Sequence, residues 1–232
     1  MLCQNLQRKK LANLLHVFLQ PQFGIGKTYI SFLLRQYLSD QTNINYTHIQ
    51  NKNIPLWDQL FDNFFNLKNA IFIIFVSSIC FADFKKYLTE AMLLETIEKS
   101  GNKLFNHYVF TPGRAGENFK EIHDYIVSNI EKSGMTIIWE NKTLGTTIKE
   151  YTKGKYSKIE DLPEFQNIKN DTCKIISLPT ESYYFQKDLS FFLRSGETFN
   201  QAIYKTENNI IFRQRLFQIR KKTYGFIKNA GI

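Results

Sequence analysis

Five consecutive residues near the start of the chain have the types and spacing of a phosphate-binding loop: Gly24, Ile25, Gly26, Lys27 and Thr28. Glycines let backbone N–H groups turn toward phosphate oxygens, and the positive end of a following helix adds to that attraction. The lysine would neutralise phosphate charge, and the hydroxyl of Thr28 would hold Mg²⁺. These residues predict a site for ATP and Mg²⁺; the alternative is an ordinary glycine turn with a solvated lysine.

The surrounding pattern supplies the strand and the helix that such a loop needs. Apolar residues precede the loop, and "YISFLLRQYL" follows it with helical spacing. In the general pattern GxxxxGK[ST] the first glycine is replaced here by Pro21. The second half of the motif is intact, so the sequence predicts a half-preserved site.

Short apolar runs alternate with helical patterns along the chain. The predicted strands are Leu14–Leu19, Ile44–Ile49, Ala70–Ser77, Asn106–Phe110, Thr136–Glu140 and Lys174–Leu178. Apolar positions at helical spacing are Trp57, Leu60, Phe61 and Phe64, after the first-turn residue Pro55, and then Phe119, Ile122, Ile126 and Ile130. This alternation predicts an α/β fold, a mostly parallel central sheet flanked by helices on both faces. Ligands bind beyond the carboxyl ends of such strands, where the glycine loop would lie.

Length and composition predict one domain over 1–232, because hydrophobic residues make up 43% and no flexible linker divides the chain. The 30 basic and 21 acidic residues give a net charge of +9, which favours nucleic acid or an anionic surface as a partner.

Three cysteines without CxxC pairing argue against a zinc site or a disulfide scaffold and favour the cytoplasm. Residues 1–12 are expected to form a basic tail rather than a signal peptide. The longest apolar run is shorter than the ~20 residues of a spanning helix, so no transmembrane segment is expected.

A basic helix is predicted over residues 206–228. Phe212, Leu216, Ile219 and Thr223 form one helical seam. The cations beside that seam could rest on the phosphate backbone of DNA without reading bases: Arg213, Arg215, Arg220, Lys221 and Lys222. The alternatives are a solvated charged face on a closing helix and, for Arg213 and Arg215, a structural or dimer role.

A series of short motifs across Leu14–Tyr224 supports a resemblance to a known family. "HVFLQPQFGIGKT" echoes "HxVLQGKGGVGKS", "DFKKYL" echoes "PLxxYL", "TPGRAGENF" echoes "TGGQ", and "IIWEN" echoes "VVWLN". "IISLP" echoes "IIQIP", "ETFNQA" echoes "LTFDEA", and "RQRL" stands unchanged. The sequence thus resembles the P-loop ATPases of the ParA/MinD type, and within them the TraL-type proteins of plasmid conjugal transfer.

This resemblance implies a P-loop NTPase-like fold, a homodimer that sandwiches ATP, and partners in the conjugation or partition machinery. It also implies that Asn141 and Pro179 frame the adenine base. For Asn141 the alternative is a strand-end residue that bonds its own loop.

The departures from the family pattern bear on hydrolysis. Gln22 replaces the signature lysine, and a neutral amide cannot neutralise transition-state charge, a contribution worth roughly 10³–10⁵ in rate elsewhere. Phe23 replaces a glycine, at a cost of about 1–2 kcal/mol if that position needs a positive φ. The acidic pair after the second strand aligns with His48 and Gln50, and the aspartate that ends the third strand aligns with Phe75.

The sequence therefore predicts lost or very slow hydrolysis with the fold retained. We interpret the chain first as a nucleotide-dependent adaptor that binds ATP weakly. The alternative is a nucleotide-free pseudo-ATPase that serves as a protein-interaction or non-specific DNA-binding module. A third hypothesis is a slow ATPase with substitute metal ligands, such as Gln50 or Ser77 holding a metal-bound water.

Overall fold

The computed structural model describes residues 12–111, 134–142, 173–178 and 182–232. Three predictions fall on other parts of the chain and lie outside the described residues. They are the basic tail, apart from its last residue, the amphipathic segment that contains Phe119, Ile122, Ile126 and Ile130, and the adenine-framing role of Pro179.

Six strands form one sheet, and all of its neighbouring pairs are parallel. The strands are β1 Leu14–Phe18, β2 Ile44–Ile49, β3 Ile71–Val76, β4 Lys103–Phe110, β5 Met135–Asn141 and β6 Cys173–Leu178. Their order across the sheet is β2-β3-β1-β4-β5-β6. Each predicted strand is confirmed, with ends that move by at most three residues. The parallel arrangement brings all carboxyl ends to one edge of the sheet.

Helices cover both faces of this sheet, as the alternation predicted. They are α1 Lys27–Ser39, α2 Ile54–Asn66, α3 Phe81–Glu90, α4 Leu93–Lys99, α5 Tyr183–Ser195, α6 Phe199–Tyr204 and α7 Ile210–Asn229, with a 3₁₀ turn at Ser78–Cys80. Within the described residues, no helix is long and apolar enough to cross a membrane.

The sheet separates two hydrophobic cores, because successive residues of each strand point to opposite faces. On one face, Leu15 and Val17 of β1 pack with residues of α2, α3 and α4. On the other face, Phe18 packs with residues of α1, α5, α6 and α7. The residues just after β1 therefore leave the sheet between two well-packed layers, which fixes the path of the glycine loop.

The carboxyl-terminal helix confirms the predicted seam and corrects its start. Leu216, Ile219 and Thr223 are buried, and Phe212 packs at the edge of the same core. The helix begins at Ile210 rather than at residue 206, because the side chain of Asn209 accepts a hydrogen bond from the backbone N–H of Ile211 and caps it there.

Candidate functional site

The glycine loop lies between the end of β1 and the start of α1, at the carboxyl edge of the sheet. Gly24 has φ 68° and Gly26 has φ 93°, a left-handed conformation that side chains rarely adopt. Gly26 is also the N-cap residue of α1, and its carbonyl accepts the first hydrogen bond of the helix from Ile30. The loop therefore has the turn and the helix start that the phosphate-binding pattern requires.

Lys27 is buried within this loop, with 7% of its surface exposed. Its Nζ donates to the carbonyl oxygen of Gln20 at 2.8 Å, to that of Gln22, and to the hydroxyl of Ser78 at 2.6 Å. Lys27 is thus not a solvated lysine, whereas an ordinary glycine turn stays the alternative to a phosphate site. The ammonium group is instead enclosed by oxygen atoms at the floor of the loop.

Burial also changes the acidity of this lysine. It lowers the pKa of Lys27 to about 8, because the charged form loses hydration. At neutral pH the ammonium form still predominates and can attract an anion. Above the lowered pKa the side chain loses its charge, so the site is sensitive to mildly alkaline pH.

Hydrogen bonds between the loop segment and the end of β4 hold the loop in place. Gln20 is buried and pairs with the backbone of Val109 in β4, accepting from its N–H at 2.8 Å and donating to its carbonyl at 2.9 Å. The hydroxyl of Thr111 donates to the carbonyl of Ile25 at 3.2 Å. The loop is thus pre-organised by contacts with the end of β4 rather than by a ligand.

Asn141 lies at the end of β5 and is 1% exposed. Its Nδ2 donates to the carbonyl of Ile25 at 3.0 Å, a contact with the glycine loop rather than with its own strand end. A Cβ atom on Gly26 would lie 2.3 Å from that same nitrogen. The asparagine therefore positions the glycine loop; its role toward adenine stays a prediction.

Two cavities adjoin the loop. One, of about 660 Å³, is lined by the loop residues, by the exposed Thr28 and by residues at the ends of β2 and β3. The other, of about 420 Å³, is lined by Asn141 and by residues of α5. Gly24, Gly26, Tyr29 and Leu193 line both. Together the cavities give room for a phosphate chain over the loop and a larger group beside Asn141.

Gln22 and Phe23, which replace the lysine and the glycine of the family pattern, lie in different environments. Gln22 is 6% exposed, lines the larger cavity, and its Oε1 is buried without a hydrogen-bond partner. Phe23 is 69% exposed at the rim of that cavity. Its φ is not positive, so the strain that a side chain would have caused there does not arise.

Polar residues at the ends of β2 and β3 face the same cavity as Lys27. The Nε2 of Gln50 lies 2.8 Å from Nδ1 of His48, and burial lowers the pKa of this histidine. The hydroxyl of Ser77 is buried without a partner, while that of Ser78 donates to the carbonyl of Gln22 at 2.9 Å. In the described part of the chain, no group of three or more His, Cys, Asp or Glu side chains is placed to hold a metal ion.

The sequence did not predict a buried histidine pair in the sheet. His16 Nδ1 and His107 Nε2 lie 2.9 Å apart, and Trp139 Nε1 lies 2.9 Å from His107 Nδ1. Since an indole N–H only donates, His107 accepts at Nδ1 and donates from Nε2 to His16. Burial lowers the pKa of His16 to about 3 and that of His107 well below its usual value. Only the pairing of β1 with β4 brings these rings together.

The basic residues of α7 differ in how far they are available to a partner. Arg215 forms an ion pair with Asp188 at 2.8 Å, and Arg220 donates to the side chain of Asn200. Lys222 Nζ lies 5.5 Å from the ring centre of Phe185, the Nε of Arg213 is buried, and Lys221 is exposed. The ion pair gives Arg215 a structural contact between α5 and α7, and the DNA-binding role of the five cations stays a prediction.

Comparison with known proteins gives a similarity over nearly the whole chain. Two proteins of Escherichia coli, each named Protein TraL, are both 23% identical to it, over 243 and 242 residues. Each alignment covers 94% of this chain and 98% of the relative. No family model and no solved structure matches. The chain is thus distantly similar, from end to end, to proteins named TraL.

Proposed function

We propose that this chain is a TraL-type, ParA/MinD-like protein of plasmid conjugal transfer or partition that binds ATP as a nucleotide-dependent adaptor. The single observation that carries the proposal is the enclosure of Lys27 by the glycine loop at the floor of a 660 Å³ cavity. A buried cation beside two left-handed glycines at a helix start favours an anionic group over any other ligand. The end-to-end similarity to proteins named TraL supports the cellular setting.

The residues at the loop fit a nucleoside triphosphate. Gly24 to Thr28 would hold its phosphates, with the Lys27 ammonium against the terminal ones. Asn141 and α5 border the adjoining 420 Å³ cavity, where the base and sugar would lie. The three N–H donors of Lys27 are taken by the carbonyls of Gln20 and Gln22 and by the hydroxyl of Ser78, so a phosphate oxygen would have to replace one of these acceptors.

Hydrolysis makes further demands that these residues do not meet. It needs a group to orient water and cations to neutralise the transition state. The signature position holds the neutral Gln22, and the described lining of the 660 Å³ cavity carries no carboxylate. We expect turnover to be lost or very slow while binding is kept.

A ligand that is bound but not consumed can act only by favouring one state of the protein over another. The exposed Phe23 stands at the rim of the cavity, where a second protein surface would meet both the loop and the nucleotide. ATP would thus tune self-association or the affinity for a transfer-machinery partner. Sedimentation velocity over a range of ATP concentrations measures this directly, and a monomer at every concentration would contradict it.

Calorimetric titration of ATP tests the binding step. Micromolar affinity is expected for the wild type and for Lys68→Ala, which removes an exposed lysine outside both cavities. Lys27→Ala should abolish the heat while keeping the wild-type circular dichroism spectrum.

Absence of binding by the folded wild type would favour the nucleotide-free alternative, in which salt-sensitive DNA binding should weaken on replacing Arg220 and Lys222 by alanine.

A further inference from the structure

We infer that this site takes its nucleotide as the metal-free polyphosphate, without a divalent cation, an inference that rests on the proposed ATP binding. Mg²⁺ in nucleotide sites is held by one or two carboxylates together with phosphate oxygens and waters. The described residues that line the 660 Å³ cavity include neither aspartate nor glutamate. The donor set of the described lining residues therefore does not fit Mg²⁺.

The hydroxyl groups at the cavity do not make up for the missing carboxylates. Ser78 gives its only proton to the carbonyl of Gln22 and accepts one from Lys27, so its oxygen is already occupied by a cation. Ser77 has a buried hydroxyl without a partner, which suits a phosphate oxygen as well as a metal. Thr28 alone, exposed at the start of α1, would be a weak ligand.

His48 lines the cavity at the end of β2. With the amide nitrogen of Gln50 placed 2.8 Å from it, Nδ1 of His48 accepts and its Nε2 carries the proton. In this tautomer Nε2 can donate to a phosphate oxygen, whereas binding a metal ion would require the ring to give up or move that proton. The end of β2 thus contributes a group complementary to an anion.

Charge favours the same conclusion. In a site with carboxylates, the metal ion lies between the carboxylates and the phosphates and offsets the repulsion between them. Here the only formal charge among the described lining residues is the ammonium of Lys27, and the helix start adds positive potential. A metal-free polyphosphate meets attraction alone, and no carboxylate among the described lining residues offers Mg²⁺ a counter-charge.

The test is calorimetry of ATP binding to the full chain in two buffers, one with excess Mg²⁺ and one with EDTA. We expect the affinity in EDTA to equal or exceed that in Mg²⁺. Affinity that rises about tenfold or more on adding Mg²⁺ would overturn this inference and leave the proposed function standing. Absence of binding in both buffers would instead overturn the proposed function.

A substitution that supplies the missing carboxylate gives an independent check. His48→Asp should weaken ATP binding in EDTA by about tenfold or more through repulsion of phosphate, and Mg²⁺ should restore much of it. Asn51→Asp adds the same charge three residues away, outside the described cavity lining, and should leave both affinities unchanged. Unaltered binding of ATP by folded His48→Asp in EDTA would contradict the inference.

Discussion

The side chain of Asn141 and the backbone of Ile25 are joined by a 3.0 Å hydrogen bond across 116 residues of sequence. The nitrogen that makes this bond stands 2.3 Å from the place where a Cβ on Gly26 would lie. One asparagine thus fixes the loop and excludes any side chain beside it. The end of β5 and the glycine loop form one structural unit, and a change to either should affect both.

Gly26→Ala should destabilise the protein and abolish ATP binding. The new methyl group collides with Asn141, and the φ of 93° is strained for any side chain. Gly101→Ala is the matched control, because its φ is +77° but nothing lies within 4 Å of the added carbon. Strain alone costs about 1–2 kcal/mol, so Gly26→Ala should lower the free energy of unfolding in urea by clearly more. Equal losses for the two variants would contradict the close packing.

Asn141→Ala should cost at least about 1–1.5 kcal/mol of stability, since it removes the buried hydrogen bond to Ile25 while Thr111 still donates to that carbonyl. In the Gly26→Ala background the same change also removes the colliding amide, so the two losses should not add. A double-mutant cycle from urea unfolding measures the coupling. Strict additivity would mean that the loop rearranges to avoid the asparagine.

The affinity for ATP should depend on pH through Lys27. Burial lowers the pKa of this lysine in the free protein to about 8. Since phosphate binds the protonated form, affinity should stay level below that pH and fall by up to about tenfold per pH unit above it. Calorimetry from about pH 6.5 to about pH 9.5 checks this. An affinity that stays constant above pH 8 would show that Lys27 keeps its proton or does not touch the ligand.

Stability should fall in mild acid because of the buried histidine pair. The folded-state pKa values of His16 and His107 lie below the usual 6.5, so the unfolded chain binds more protons as the pH drops below that value. The stability contribution is complete above about pH 6.5 and decreases toward the folded-state pKa, by up to about 2.7 kcal/mol per pH unit for two sites. His16→Gln keeps an acceptor for His107 and should reduce this slope by about half. Urea unfolding at several pH values measures it, and an unchanged slope would place the titrating groups elsewhere.

The ion pair between Arg215 and Asp188 should contribute to the packing of α7 on α5. Arg215→Ala is expected to lower the free energy of unfolding by roughly 1 kcal/mol, since the pair is only partly buried. Lys221→Ala removes an equal charge from an exposed position of the same helix and should leave stability unchanged. Chemical denaturation at low and high salt distinguishes loss of the ion pair from a change in net charge. An equal effect of both variants would indicate that net charge is the cause.

The amino-acid sequence was enough to predict the six strands and the helices α1, α2 and α7. Apolar runs gave the six strands, and Pro55 with the apolar side at Trp57 and Phe61 predicted α2, where the structure adds a cap from Asn53. The seam at Leu216 and Ile219 predicted the buried side of α7. Such features depend on residues within a few positions of one another, so local spacing is enough to predict them. The Asn209 cap was equally local, and a search for capping residues would have placed the start of α7 correctly.

The construction of the candidate site depends on contacts between distant parts of the chain, which the sequence does not show. The motif identified Lys27, and the carbonyls around its ammonium group come from Gln20 and Gln22 of the same loop, but the hydroxyl of Ser78 comes from a distant part of the chain. The bond from Asn141 to Ile25 and the pairing of His16 with His107 depend on which strands are neighbours and in which register. Partners separated by tens of residues leave no periodic trace in a single sequence, because their contact is fixed by the order of strands across the sheet.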